Sequence, residues 1–123
     1  MTAWTNDELT TIGAADELEL ASLRRDGTLR KPVTIWVVRH GDDLYVRSAY
    51  GSSAAWFRST QVRHEGHIRA GGVEKDVTFV DADHDIDDEL DAAYRTKYRR
   101  SPSSVVHITS PVARSATLRL VPR

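Results

Sequence analysis

Residues 45–59, YVRSAYGSSAAWFRS, gather two arginines, four serines and a glycine beside an aromatic pair. These types can hold an anion. A helix starting after Ser52 or Ser53 would present free amides and the positive end of its dipole beside Gly51, where a ligand can approach the backbone closely. Arg47 on the incoming strand, Arg58 in the helix and the Arg30-Lys31 pair upstream would add charge wherever the sheet brings them together. Ser48, Ser52 and Ser53 would complete a phosphate cradle, with Trp56, Tyr50 or Trp36 as an apolar wall for a planar ring. The same residues also have an ordinary structural use, in which serines cap helices, Gly51 turns the chain and Trp56 with Phe57 anchors the helix.

Other chemistry-bearing residues point less far. In DADHDIDDELD a calcium loop beginning at Asp81 would put Ile86 where glycine is required and Ala92 where the bidentate glutamate belongs, so the run reads as a solvated helix start. Five histidines, His40, His64, His67, His84 and His107, show no paired zinc spacing, and no metal site is expected. One of them can still serve as an acid or base near neutrality. Neither Ser48 nor Ser59 has a nucleophile-elbow context, which disfavours hydrolase chemistry. Tyr94 and Tyr98, on a later helix, are candidate proton donors or simply buried rings.

The chain that must position these groups has 123 residues, 40% of them hydrophobic, which suits one domain over residues 1–123. A formal charge of −1 gives no global attraction to nucleic acid or an anionic membrane. There is no cysteine, which removes thiolate chemistry and disulfides. No stretch approaches the roughly 18 apolar residues of a membrane span, and MTAWTNDELTT has no signal pattern, so the cytoplasm is the expected location. Fourteen arginines against three lysines suit bidentate contacts to phosphate and carboxylate.

Thr5 and Glu8 form a capping box with Trp4 and Leu9 as its staple, predicting a helix from about Asn6 to Ile12. DELELASLR alternates as a strand, with Asp26-Gly27 as a hairpin turn. In TLRKPVTIWVVR, Val33, Ile35 and Val37 share one face and Trp36 and Val38 the other, predicting a central strand covered on both sides. LYVRS follows as a strand, and Gly71-Gly72 joins VRHEGHIRA to VEKDVTFVDA. Asp85 is the expected cap of a helix through about Tyr98, with Ile86, Leu90, Ala93 and Lys97 at helical spacing. SSVVHI reads as a strand, TSPVARS as a capped helical turn and ATLRLV as a closing strand. The fold class is therefore α+β, mainly antiparallel β, with six or seven strands closing as a small barrel and two to three short helices.

From GTLRKPVTIWVV through GDDLYVRSAYGSSAAWFRS to HIRAGGVEKDVTFVDA, the order of features resembles the split β-barrel superfamily of pyridoxamine-phosphate oxidases and flavin reductases, particularly its deazaflavin-dependent branch. The matching positions are Arg30 and Lys31, Ser48, Gly51, and Ala55-Trp56, over roughly residues 16–82. The whole chain also looks like a small uncharacterised bacterial family within that superfamily. The resemblance implies a homodimer with a deazaflavin coenzyme or FMN in a groove, and a reductase that passes hydride to a small organic acceptor. In that reading Arg30 and Lys31 hold the phosphate, Ser48 and Gly51 line the ring or its tail, and Trp56 packs near the cofactor. Arg47, Ser52 and Ser53 belong to the same candidate cradle through their residue types. The glycine-rich doublet often found in the branch is reduced to Gly51 followed by serines. A cofactor-free groove that binds a small molecule or performs acid-base chemistry is the alternative, and a purely interacting protein a third.

Overall fold

Thr5 opens the first helix as its neighbours require: its side chain accepts from the Glu8 amide, and Glu8 Oε1 accepts from the Thr5 amide in return. The resulting α1, Asn6–Ala14, buries Leu9 and Ile12. Trp4 joins them in the core and donates its indole N–H to Leu120 O at 2.9 Å, tying the start of the chain to its last strand. This computed structural model describes residues 3–123.

Seven strands follow: β1 (Leu18–Ser22), β2 (Val33–Ile35), β3 (Val38–His40), β4 (Asp43–Arg47), β5 (Glu65–Ala70), β6 (Val73–Asp81) and β7 (Thr117–Pro122). All pairings are antiparallel, in the order β2-β1-β5-β6-β7-β4-β3. The sheet curls into a split barrel. Gly71-Gly72 makes the β5–β6 hairpin, with both glycines at positive φ. The remaining helices are α2 (Ala55–Arg63), α3 (Asp87–Lys97), α4 (Pro102–Ile108) and α5 (Pro111–Arg114).

The segment expected to be one central strand is instead two edge strands, because β2 and β3 sit at opposite ends of the sheet. Its alternation nevertheless runs through the break. Val33, Ile35 and Val37 face the barrel core, whereas Trp36 and Val38 face the cluster beneath α3 and α4. At the break the ladder is replaced by side chains: the Val37 amide donates to Tyr98 Oη at 3.2 Å, and Val37 O accepts from Lys97 Nζ at 2.6 Å. One run of chain thus touches both open edges of a curled sheet.

SSVVHI is also corrected, from strand to the helix α4. Pro102 fits its first turn, and Val105 and Ile108, three residues apart, reach the same buried cluster while Val106 stays outside. Tertiary burial at helical spacing overrides the β preference of two valines. Helices number five rather than two or three among the described residues. The cap expected at Asp85 is moved two residues earlier: Asp83 accepts from the Asp85 amide over a short 3₁₀ turn, His84–Ile86, that leads into α3.

Two apolar clusters organise the interior. Leu9 and Ile12 of α1 and Phe57 of α2 fill the barrel with Leu20, Val46, Phe79 and Leu118, while Leu90, Tyr94 and Tyr98 pack on the outer face of β3 and β4 with Val38 and Tyr45.

Candidate functional site

Trp56 stands where two hollows meet. One, of about 300 Å³, is lined by Arg24, Arg30 and Lys31 together with Ser22 and Ser59. The other, of about 440 Å³, runs past Trp36, Tyr50, Ala49 and Ile108 to Ser104 and His107 of α4. Val33 and Trp56 line both. The result is a basic end joined to an aromatic groove.

At the basic end, none of Arg24, Arg30 and Lys31 has a carboxylate within ion-pair distance among the described residues. Arg24 is aimed by the β1–β2 hairpin, donating to Thr28 Oγ1 at 3.2 Å and Leu29 O at 2.9 Å. The Arg30 amide donates to Ser22 O, but its side-chain Nε is buried with no partner. A guanidinium nitrogen held away from water without an acceptor is costly unless a ligand supplies one. Ser59 donates to Trp56 O at 2.6 Å and lies 2.6 Å from Ser22 Oγ, so these hydroxyls brace the base of α2 under the hollow.

The aromatic end is held from behind. Trp36 stacks on Tyr98, with ring centres 3.8 Å apart and planes 3° from parallel. Trp56 is half-buried at the lip of the core, and the neighbouring Phe57 is the fully packed anchor of α2. The sequence treated these two as one pair, and the structure divides their work.

The other sequence-predicted positions are placed elsewhere. Arg47 borders the groove, yet its guanidinium is wholly buried and directed at Asp91 (2.5 Å), Ile108 O (3.2 Å) and Thr117 Oγ1 (3.1 Å), and it lies over the Tyr94 ring. Its charge is therefore spent inside the protein. Ser48 is buried behind β4, with its amide on Ala116 O and its hydroxyl unpartnered. Gly51 has φ +70, and a Cβ there would stand 2.6 Å from Val112 Cγ1, so its freedom serves close packing against α5. Ser52 is exposed and Ser53 donates to Tyr50 O; both belong to a 3₁₀ turn, Gly51–Ser53, outside the two hollows. The helix expected after Ser52 or Ser53 begins at Ala55 with no side-chain cap.

Tyr94 and Tyr98 are buried rings. The Tyr94 hydroxyl has no partner and burial pushes its pKa far up; the Tyr98 hydroxyl bonds the backbone at Asp16 O and Val37, and burial pushes its pKa up to about 12. Neither lines the groove. Among the five histidines, His107 does. Of these features, Arg24 and His107 were missed as members of the site. Arg24 was visible only as the last residue of the strand DELELASLR, and His107 was hidden by reading its helix as a strand. No group of three or more His, Cys, Asp or Glu able to hold a metal occurs among the described residues.

The fold is a seven-stranded antiparallel split barrel with a groove beside Trp56. The chain belongs to a family described as uncharacterized proteins conserved in bacteria, DUF2255, which matches residues 8–120. No match is found among curated proteins. Among solved structures, it is similar to the conserved hypothetical protein Rv2991 from Mycobacterium tuberculosis, at 10% identity and a TM-score of 0.67 over 98% of this chain and 81% of that one. A FAD-binding protein from Mesorhizobium loti matches at 12% identity and a TM-score of 0.56, covering 99% of this chain and 92% of that chain. A protein titled F420 reductase matches at 14% identity and a TM-score of 0.52, covering 93% and 90%. At these identities the likeness is one of fold. No helix among the described residues is long and apolar enough to cross a membrane.

Proposed function

We propose that this protein binds a phosphate-bearing flavin-type cofactor, a deazaflavin coenzyme or FMN, and reduces a small organic acceptor. The observation that carries the reading is the junction at Trp56 between three cations with no carboxylate at ion-pair distance and an aromatic groove. The residues fit such a group: the orphaned Arg30 Nε needs an acceptor, and Lys31 and Arg24 stand ready beside it. When bound, the cofactor supplies hydride transfer. Arg24, Arg30 and Lys31 hold its phosphate. Trp56 and Trp36 flank the planar part, and the stack of Trp36 on Tyr98 keeps that wall from yielding. Val33, Ile35 and Ile108 exclude water from the apolar stretch, and His107 provides a proton-holding group in the α4 wall. The similarity of fold to a FAD-binding protein and an F420 reductase supports the reading.

The working unit in this reading is a homodimer. Tyr50 is 78% exposed at the groove, and Val106 and Val112 are large exposed apolar side chains on α4 and α5, a surface a second copy would cover.

Titration of the purified chain with deazaflavin coenzyme, FMN and FAD, followed by cofactor fluorescence, tests the proposal. Micromolar binding of one of them is expected, weakened at least about tenfold, or ~1.4 kcal/mol, in the Arg30→Ala/Lys31→Ala variant and also in Arg24→Ala. Absence of binding by all three would overturn it in favour of the cofactor-free groove.

A further inference from the structure

Lys97, the last residue of α3, lies on the far side of Trp36 from the groove. Its half-buried side chain borders two hollows, one of about 670 Å³ shared with Trp36, Tyr98, Arg99 and Arg100, and one of about 440 Å³ shared with Arg39 and Glu89. Nζ donates to Val37 O at 2.6 Å and stands 5.0 Å from the centre of the Tyr98 ring. No carboxylate lies within ion-pair distance of it, nor of Arg99 or Arg100, among the described residues. Cations at a helix C-terminus complement the dipole, which accounts for the exposed arginines. It does not account for a partly buried amine whose fixed partner is a neutral carbonyl.

We propose that Lys97 is an acylation site, its ε-amine taking an acyl group from an acyl phosphate whose phosphate rests on Arg99 and Arg100. Three features suit the reaction. The hydrogen bond to Val37 O fixes the nitrogen while leaving a lone pair for attack in the neutral amine. The larger hollow gives a small acyl donor access, and its arginines match a phosphate. Burial lowers the amine's pKa to about 8 against an opposing pull from Asp16, so a sizeable fraction is unprotonated near neutral pH. Asp16 and Glu17 also border the larger hollow, while Glu89 and Arg39 face the amine from the smaller one. In the reaction the amine nitrogen bonds to the acyl carbon, the bond from that carbon to the phosphate oxygen breaks, and inorganic phosphate leaves with the electron pair. The ammonium proton passes to solvent. No oxidant or reductant takes part. The product carries an uncharged amide at the junction of β2 and β3, behind the aromatic wall.

The chain has three lysines, and Lys75, which lines neither basic hollow, is the internal control. The full chain, incubated with acetyl phosphate at about pH 8 and digested at intervals for mass spectrometry, should show Lys97 acetylated about tenfold or more faster than Lys75, the excess of free amine being partly offset by lower basicity. The Arg99→Ala/Arg100→Ala variant should lose that preference towards acetyl phosphate and keep it towards the uncharged N-hydroxysuccinimidyl acetate, which also reports that the lysine's surroundings are intact. Equal labelling of Lys97 and Lys75 would overturn the site, and an unchanged acetyl phosphate preference in the double variant would overturn the acyl phosphate as its donor.

Discussion

Arg47 and Arg30 are the same residue type within one anion-binding hypothesis, yet they meet opposite fates. Arg47 is saturated by Asp91, backbone carbonyls and Thr117, whereas Arg30 Nε is buried and unpaired beside Lys31. The deciding partner is Asp91, which with Asp87, 3.5 Å from Arg47, turns inward from an otherwise exposed acidic run. Burial alone would raise its pKa, but hydrogen bonds from Arg114 and Arg47 outweigh it and hold the carboxyl below its ordinary 3.8. A depressed carboxylate contributes stability above the unfolded value that is lost as pH falls through the folded one. Asp91→Ala should therefore cost about 3 kcal/mol at neutral pH by leaving Arg47 only the longer ion pair to Asp87, and the gap to wild type should narrow in acid; urea unfolding across pH measures both.

At the scale of elements, the β5–β6 hairpin carries a clasp. His67 lies 2.9 Å from Asp76 and 3.0 Å from Glu74 through its two ring nitrogens, and the Asp76 hydrogen bond, opposed by burial and assisted by Glu74, raises its pKa above 6.5. A raised histidine adds stability that is complete below 6.5 and disappears as pH rises through the folded value. Thermal unfolding should thus show wild type losing stability relative to His67→Gln as pH rises from 6.5 through the raised folded value, because the glutamine does not titrate. The turn between β4 and α2 depends on a different constraint. Gly51→Ala should cost about 1–3 kcal/mol for its left-handed backbone, plus the clash with Val112. Adding Val112→Ala should restore the clash component alone, a coupling that a double-mutant cycle reads directly. If Gly51 served only ligand approach, the two changes would add independently.

For the whole molecule, the curled sheet matters because it brings Arg24 and Arg30–Lys31, near the β1–β2 edge, to one side of Trp56 on α2, with the groove that reaches Ile108 of α4 on the other. Saturating ligand should stabilise the whole chain as one unit. At 100 times its dissociation constant, a bound cofactor adds about 2.7 kcal/mol, visible as a higher melting temperature, with a gain of about 1.4 kcal/mol or less in Arg30→Ala/Lys31→Ala at the same concentration. Sedimentation equilibrium should give twice the chain mass, and Tyr50→Glu with Val106→Glu should return it to the monomer by placing charge on the apolar face. A monomeric wild type at all concentrations would remove the dimer from the proposal.

Much of the architecture was legible because it rests on local rules: the capping box at Thr5 and Glu8, the Gly71-Gly72 hairpin, and the alternation that sorts Val37 inward and Trp36 outward. The Arg30-Lys31 pair and Trp56, which the structure brings to one hollow, were legible as a charged pair and an aromatic for the same reason, since charge and aromatic type are properties of the residues themselves. Three things depended on packing over long separations. Alternation gives facing but not neighbours, so the sequence could not reveal that β2 and β3 part to opposite sheet edges. Valine preference gives no burial geometry, so α4 became a helix only because Val105 and Ile108 could reach the cluster beneath α3. Formal charge gives no partner, so only the fold determined that Asp91 neutralises Arg47 and leaves Arg24, Arg30 and Lys31 open beside the groove.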